Sequence, residues 1–250
     1  MLPHIVATLH KRMTLILAIL AALGVLAAPP AQGALSQRRT DAVSERAQPL
    51  LLIDQRVTAR AHPSPHARIV GQVEARTPLT GSATVLPVLQ TARGPAGGRW
   101  LRVRLPMRPN SASGWVPADT GRIKGTPWRI IVHRGAHRAL VLQGGKIRAS
   151  YPIVVGQPET PTPLGAFFVV EKIRVAPGVT EGPWALATSA YSNVLHEFAG
   201  GPGQVALHGI VGLSAPLGTS ASHGCIRFGN EAITWIATHV DNGTPVIVQP

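Results

Sequence analysis

Turn-forming residues set the first limit on this chain. Its 250 residues include 26 glycines and 23 prolines, which leave few uninterrupted stretches long enough for a helix of several turns. Between the breaks lie short apolar-rich runs of the kind that pair as strands. Apolar residues make up 45% of the chain and charged residues only 14%, a balance that excludes an intrinsically disordered protein. The length suffices for one large domain or two modest ones with real cores. A mainly β fold is therefore expected.

The N-terminus has a different character. Lys11 and Arg12 precede an apolar stretch from Leu15 to Ala28, and Ala31-Gln32-Gly33 follows as a small-x-small exit. A basic segment, a short apolar segment and small residues together read as a signal peptide over residues 1–33. The apolar run is shorter than the roughly 20 residues that span a bilayer comfortably. A membrane anchor is the alternative if the signal stays uncleaved. Residues 34–50 are polar, without a clear period, and read as a linker.

Residues 51–122 hold five short runs: Arg56 to Ala59, Ala67 to Val73, Ala83 to Leu89, Arg99 to Arg104, and Gly114 to Val116. Trp100, Leu101 and Val103 alternate with arginines, as in a strand with one solvated face. Five such runs suggest a small antiparallel barrel. Val57-Thr58-Ala59-Arg60-Ala61, Trp100-Leu101-Arg102-Val103 and Gly114-Trp115-Val116-Pro117 together resemble bacterial SH3-like domains. That resemblance implies either a module that binds cell-wall material or a spacer.

A break is expected from Gly121 to Pro127, with a second domain over residues 127–250. Strands are expected at Trp128 to His133, Arg138 to Gln143, Lys146 to Val155 and Ala166 to Val170, with Gly144-Gly145 as a two-residue hairpin turn. Pro177 to Gly203 has weak periodicity and reads as a long excursion over a functional surface. One helix is expected: Asn230 can cap it, and Ile233, Ile236, Ala237 and Val240 recur at helical spacing. Val246 to Val248 makes a last strand.

The chain holds a single cysteine, Cys225. Exported proteins usually pair their cysteines or dispense with them, so a lone thiol needs a reason. Its neighbours supply one. In Ser222-His223-Gly224-Cys225-Ile226-Arg227, an extended backbone would place His223, Cys225 and Arg227 on one face. Arg227 would then favour the thiolate, the nucleophilic form. Gly224 lets another backbone approach closely, and the consecutive amides around it form a plausible oxyanion hole. His208, at the end of the apolar run Val205-Ala206-Leu207, is the candidate base. Spacing alone does not show that the two meet.

His208-Gly209 lies 17 positions before Cys225 in Ser222-His223-Gly224-Cys225. The arrangement resembles the L,D-transpeptidase (YkuD-like) catalytic domain, and the likeness runs from about Trp128 to Val248. It implies an L,D-transpeptidase-type β-sandwich with one C-terminal helix. It also implies that Cys225 becomes acylated, that His208 takes and returns the proton, and that Gly209 orients a histidine through its carbonyl. His223 would support the site, and the amides of His223, Gly224 and Cys225 would hold the oxyanion. Arg227 would raise the local positive potential or hold a substrate carboxylate. Ser222, Trp184 and Tyr191 are further candidates for substrate contact, with core packing the other role open to Trp184 and Tyr191. Ile210 departs from the pattern, where many members carry Thr or Ser.

The resemblance implies peptidoglycan stem peptides as substrate, a site in the cell wall or periplasm, and no cofactor. A net charge of +13, of which the first 33 residues supply only two, suits an anionic polymer. No basic run with interleaved aromatics marks a nucleic-acid partner. Cys225, His223 and His208 could in principle hold a metal, but Arg227 would repel it and no fourth ligand is evident. Two alternatives stay open: an L,D-carboxypeptidase that uses water as acceptor, and a non-catalytic wall-binding protein.

Overall fold

The computed structural model describes residues 47–212 and 215–250. The expected signal peptide and the linker up to residue 46 lie outside them. Seven strands come first: β1 (Gln48–Ile53), β2 (Val57–Arg60), β3 (Ile69–Val73), β4 (Val85–Arg93), β5 (Arg99–Arg104), β6 (Ser113–Pro117) and β7 (Gly121–Thr126). They form one antiparallel sheet in the order β3-β2-β6-β5-β4-β1-β7.

Both expected edges of this unit move outward. Gln48-Pro49-Leu50, assigned to the linker, are already strand, and the expected break after Gly121 is β7, paired with β1 from Gln48↔Thr126 to Ile53↔Gly121. The reason is that β7 is an edge strand exposed along most of its length. Its backbone is satisfied by β1, yet its side chains carry no apolar signature that a sequence pattern could register.

The second unit contains β8 (Trp128–His133), β9 (Arg138–Gln143), β10 (Lys146–Pro152), β11 (Val155–Gly156), β12 (Gly165–Arg174), β13 (Trp184–Tyr191), β14 (Gln204–His208), β15 (Ser220–Ser222), β16 (Ile226–Arg227), α1 (Asn230–His239) and β17 (Pro245–Gln249). Eight of these strands make a mixed sheet, β10-β9-β8-β17-β12-β13-β14-β16, and β11 pairs in parallel with β15. The described chain is mainly β with a single α-helix.

The expected excursion from 177 to 203 is corrected here, because an interior strand, β13, runs through its middle. Six consecutive residues of Trp-Ala-Leu-Ala-Thr-Ser-Ala-Tyr are buried. A strand covered on both faces has no alternation to display, and its small residues look like loop. The helix is where its spacing placed it, with Ile233, Ile236 and Ala237 buried. Its cap differs: Gly229 occupies the N-cap without a side-chain bond, and Asn230 is the first helical residue.

Strand β12 joins the two units. Phe167 and Val169 enter the core shared with α1, β8 and β14, while Phe168 and Val170 enter the core of the N-terminal sheet. Period-two alternation thus sends one strand into both cores. Polar ties flank this contact. Thr80 donates from its amide and hydroxyl to buried Glu171, each at 3.0 Å, and Asn242 donates to Ser82 at 3.1 Å.

Candidate active site

Strands β14 and β16 run in parallel, with Leu207 opposite Ile226 and His208 opposite Arg227. Cys225 stands one residue before β16 and receives the amide of Ala206 at 3.5 Å from its sulfur. Leu207 and Ile226 point into the core. The alternate positions Ala206, His208, Cys225 and Arg227 therefore project to the opposite face. This register sets a cysteine and a histidine that are 17 positions apart on one face of adjacent strands.

Buried His208 makes a 2.7 Å hydrogen bond from Nδ1 to the carbonyl of Gly209. A carbonyl only accepts, so Nδ1 carries the proton and the neutral ring presents a bare Nε2. Gly209 itself is held closely. Its amide donates to Trp184 O at 3.3 Å, and a Cβ there would lie 2.4 Å from Asn230 Oδ1 and 3.0 Å from Pro183. Asn230 Oδ1 also accepts the amide of Ile210 at 2.8 Å. Asn230, expected as a helix cap, thus secures the turn that orients His208. Beside this turn a cleft of about 550 Å³ opens, lined by Arg174, Pro177, Val179, Pro183 and Val211 among others.

The cysteine loop is not one extended strand. Gly224 has φ +116°, a conformation that side-chain-bearing residues rarely adopt. The turn separates His223 from the others: Cys225 and Arg227 share a face, whereas His223 is exposed and lies 5.0 Å from the Phe198 ring. Ser222, expected to touch substrate, is fully buried. Its hydroxyl donates to Cys225 O at 2.6 Å and accepts the Gly224 amide at 3.1 Å. Of the three amides expected to hold an oxyanion, Gly224's is thereby occupied. Among the described residues those of His223 and Cys225 make no internal hydrogen bond.

Two threonines that sequence reasoning passed over support this loop from below. Thr162 is completely buried; its hydroxyl donates to Gly224 O and accepts the Gly156 amide, both at 2.9 Å. Thr160 donates to Ser222 O at 3.4 Å. The only sequence signal was the Pro-Thr-Pro setting of Thr162.

Trp184 and Tyr191 stand at opposite ends of β13. Trp184 packs against the core with the Arg174 guanidinium 5.1 Å over its ring. Tyr191 faces the N-terminal sheet, its hydroxyl donating to Pro106 O at 3.2 Å. Both rings are half-buried, and these contacts are the packing role that the sequence left open for them. Arg227 differs, because its Nε is buried without a partner.

Burial dominates the electrostatics. It pushes the Cys225 thiol above its ordinary pKa, with the Ala206 amide and the Arg227 charge opposing less strongly. It also pushes the His208 imidazole below its usual value, opposed by the Gly209 hydrogen bond and reinforced by Arg227. For both groups desolvation of the charged form is the largest influence, and for Cys225 it outweighs the opposing pull of Arg227 towards the thiolate.

The sequence model of the YkuD L,D-transpeptidase catalytic domain matches residues 127–248. The YkuD protein of Bacillus subtilis (strain 168) is 31% identical over 124 residues, which cover 49% of this chain and 66% of that one. The YkuD protein of Bacillus licheniformis is 30% identical over 126 residues, covering 50% of this chain and 67% of its own. The chain belongs to the YkuD L,D-transpeptidase family. About a third of each Bacillus relative lies outside the match. An L,D-transpeptidase structure from Mycobacterium smegmatis aligns at 19% identity with a TM-score of 0.41, over 66% of this chain and 99% of that one.

Proposed function

We propose that this protein is an exported peptidoglycan L,D-transpeptidase that works through an acyl-enzyme on Cys225. The observation that carries the proposal is the β14–β16 register, which sets Cys225 and His208 on one face, with the histidine tautomer held by Gly209. The donor is a tetrapeptide stem, cleaved after its third residue.

In this mechanism the sulfur attacks the scissile carbonyl as its proton passes to His208 Nε2. The negative charge that develops on the carbonyl oxygen is met by the amides of His223 and Cys225, which have no internal use for their hydrogens. The C–N bond breaks, and His208 returns the proton to the departing amine. An amine of a neighbouring stem then attacks the thioester and gives its proton to His208; the C–S bond breaks as the 3→3 cross-link forms, and His208 passes the proton to the departing sulfur, which restores the thiol. Arg227, with its unpartnered buried Nε, holds a substrate carboxylate.

Burial raises the pKa of the thiol and lowers that of the imidazole, so in this reading the thiol loses its proton to His208 as it attacks. The N-terminal antiparallel sheet is, in this reading, an SH3-like module. The net charge of +13 favours residence at an anionic wall.

Incubation of the full chain with a carbapenem, followed by intact mass measurement, tests the reading. One adduct on Cys225 is expected; a folded sample that gains no mass overturns it. Product analysis with purified stems then separates an amine acceptor from water.

A further inference from the structure

The hairpin between β13 and β14, residues 192–203, stands beside the cysteine loop, with the Phe198 ring 5.0 Å from that of His223 and tilted by 31°. It is exposed except around its root, where Ser192 is buried and bonded to Gly203 O at 2.8 Å. The contacts that hold this root come from the other half of the chain. Arg108 and Asn110 lie in the turn between β5 and β6. One Arg108 nitrogen donates to Ser192 O at 2.7 Å, and the other reaches Leu195 O at 3.3 Å and Pro202 O at 3.1 Å. One guanidinium thus bridges both limbs of the hairpin, 5.0 Å over the Tyr191 ring. Asn110 imitates a paired strand residue: its Oδ1 accepts the Tyr191 amide at 2.8 Å and its Nδ2 donates to Tyr191 O at 2.7 Å. Among the described residues no carboxylate pairs with Arg108, so its charge is directed at the hairpin's carbonyls.

We propose that Arg108 and Asn110 are positioning residues of the acyl-transfer site. They fix the root of the 192–203 hairpin, and through Phe198 and His223 they set the width of the approach to Cys225. The N-terminal sheet then completes the substrate entrance instead of serving only as a spacer. A planar guanidinium holds its donors in a fixed fork that reaches both limbs from two separate nitrogens, whereas a lysine ammonium gathers its donors at one point. The inference rests on the acyl-transfer reading above for its kinetic consequence, and on geometry alone for the tether.

The test uses the full chain with Arg108→Ala, Arg108→Lys and Asn110→Ala. Arg102→Ala serves as control, since its guanidinium bonds only within the N-terminal sheet, to Ser113 and Gln90. Amide hydrogen exchange of residues 192–203 reads the tether. Carbapenem acylation, measured against concentration, reads the entrance, and alkylation by iodoacetamide reads the thiol itself. Arg108→Ala should speed exchange in the hairpin but not in β13. It should raise the carbapenem concentration for half-maximal rate about tenfold while the limiting rate stays within about twofold, because approach rather than chemistry is disturbed. Arg108→Lys should fall between, and iodoacetamide alkylation should not slow. Unchanged hairpin exchange and unchanged acylation in a folded Arg108→Ala protein overturn the proposal. So does an equal slowing of both reagents, which would place the damage at the nucleophile. If Arg108→Ala does not fold, Asn110→Ala decides by the same readouts. A wild-type protein that forms no adduct defeats the acyl-transfer reading, whereas the exchange experiment still decides the tether.

Discussion

The two sides of Cys225 are built differently. On one side, Ser222, Thr160 and Thr162 are nearly or wholly inaccessible, and their hydroxyls close the Gly224 turn through bonds to carbonyls of the loop, short for Ser222 and Thr162 and longer for Thr160. On the other, the 192–203 hairpin is mostly exposed and is tied by Arg108 and Asn110 from another sheet. Buried hydrogen bonds are costly to break because the freed groups cannot turn to water. Exposed ones exchange readily with solvent. In the acyl-transfer reading, the loop that carries the nucleophile is therefore held mainly by buried bonds, while the hairpin beside it is held by half-buried and exposed ones. The difference separates two classes of mutation: those that change the reaction and those that change who reaches it.

The largest expected effect sharpens the first class. Cys225→Ala should abolish the carbapenem adduct altogether, since it is the only cysteine; any residual mass gain would relocate the nucleophile. His208→Ala should slow acylation by about 10²- to 10⁴-fold, the range of a lost general base, measured by stopped-flow. In wild type the pH profile should follow from the direction of its shift. Protonated His208 cannot accept the thiol proton, so acylation should fall with acidity, through a midpoint below the ordinary imidazole value. A midpoint above that value would contradict the burial argument. Iodoacetamide alkylation should rise only in alkaline solution, because burial raises the thiol pKa.

The next effect asks whether the two halves are separable at all. Phe168 leaves β12 for the N-terminal core, so Phe168→Ala should cost about 3–5 kcal/mol of stability. Calorimetry should show a single lowered transition. Two independent transitions in wild type would break the picture of a shared core. Smallest is Thr162→Val, which keeps the side-chain shape but strands Gly224 O and the Gly156 amide. A loss of about 1–3 kcal/mol is expected by denaturant unfolding, with slower acylation. Equal stability and rate would show that the latch does not hold the loop.

Much of the site was legible in the sequence because its signals are local. The turn at Gly224 needs a residue tolerant of positive φ, and the His-Gly pair needs a glycine where Asn230 presses close. The helix announced itself through Ile233 and Ile236 on one face. What stayed hidden has equally physical reasons. β7 and β13 lie at the extremes of burial, one nearly all exposed and the other nearly all covered; neither alternates. Asn230 looked like a cap because its type suits one, yet its oxygen serves the Gly209 turn. Tyr191 looked like a substrate residue because it fell in an uninterpretable stretch, and it turned out to face the N-terminal sheet.

Composition and local pattern were sufficient for the strand-rich fold, for the single helix, and for naming Cys225 and His208 as the candidate pair. Each follows from chemistry confined to a few neighbouring residues. The placing of that pair on one face, the burial that raises the pKa of the thiol, and the reach of Arg108 across to the hairpin depend on strand register and packing. These arise only when segments far apart in the chain pack together, and no short stretch of sequence encodes them.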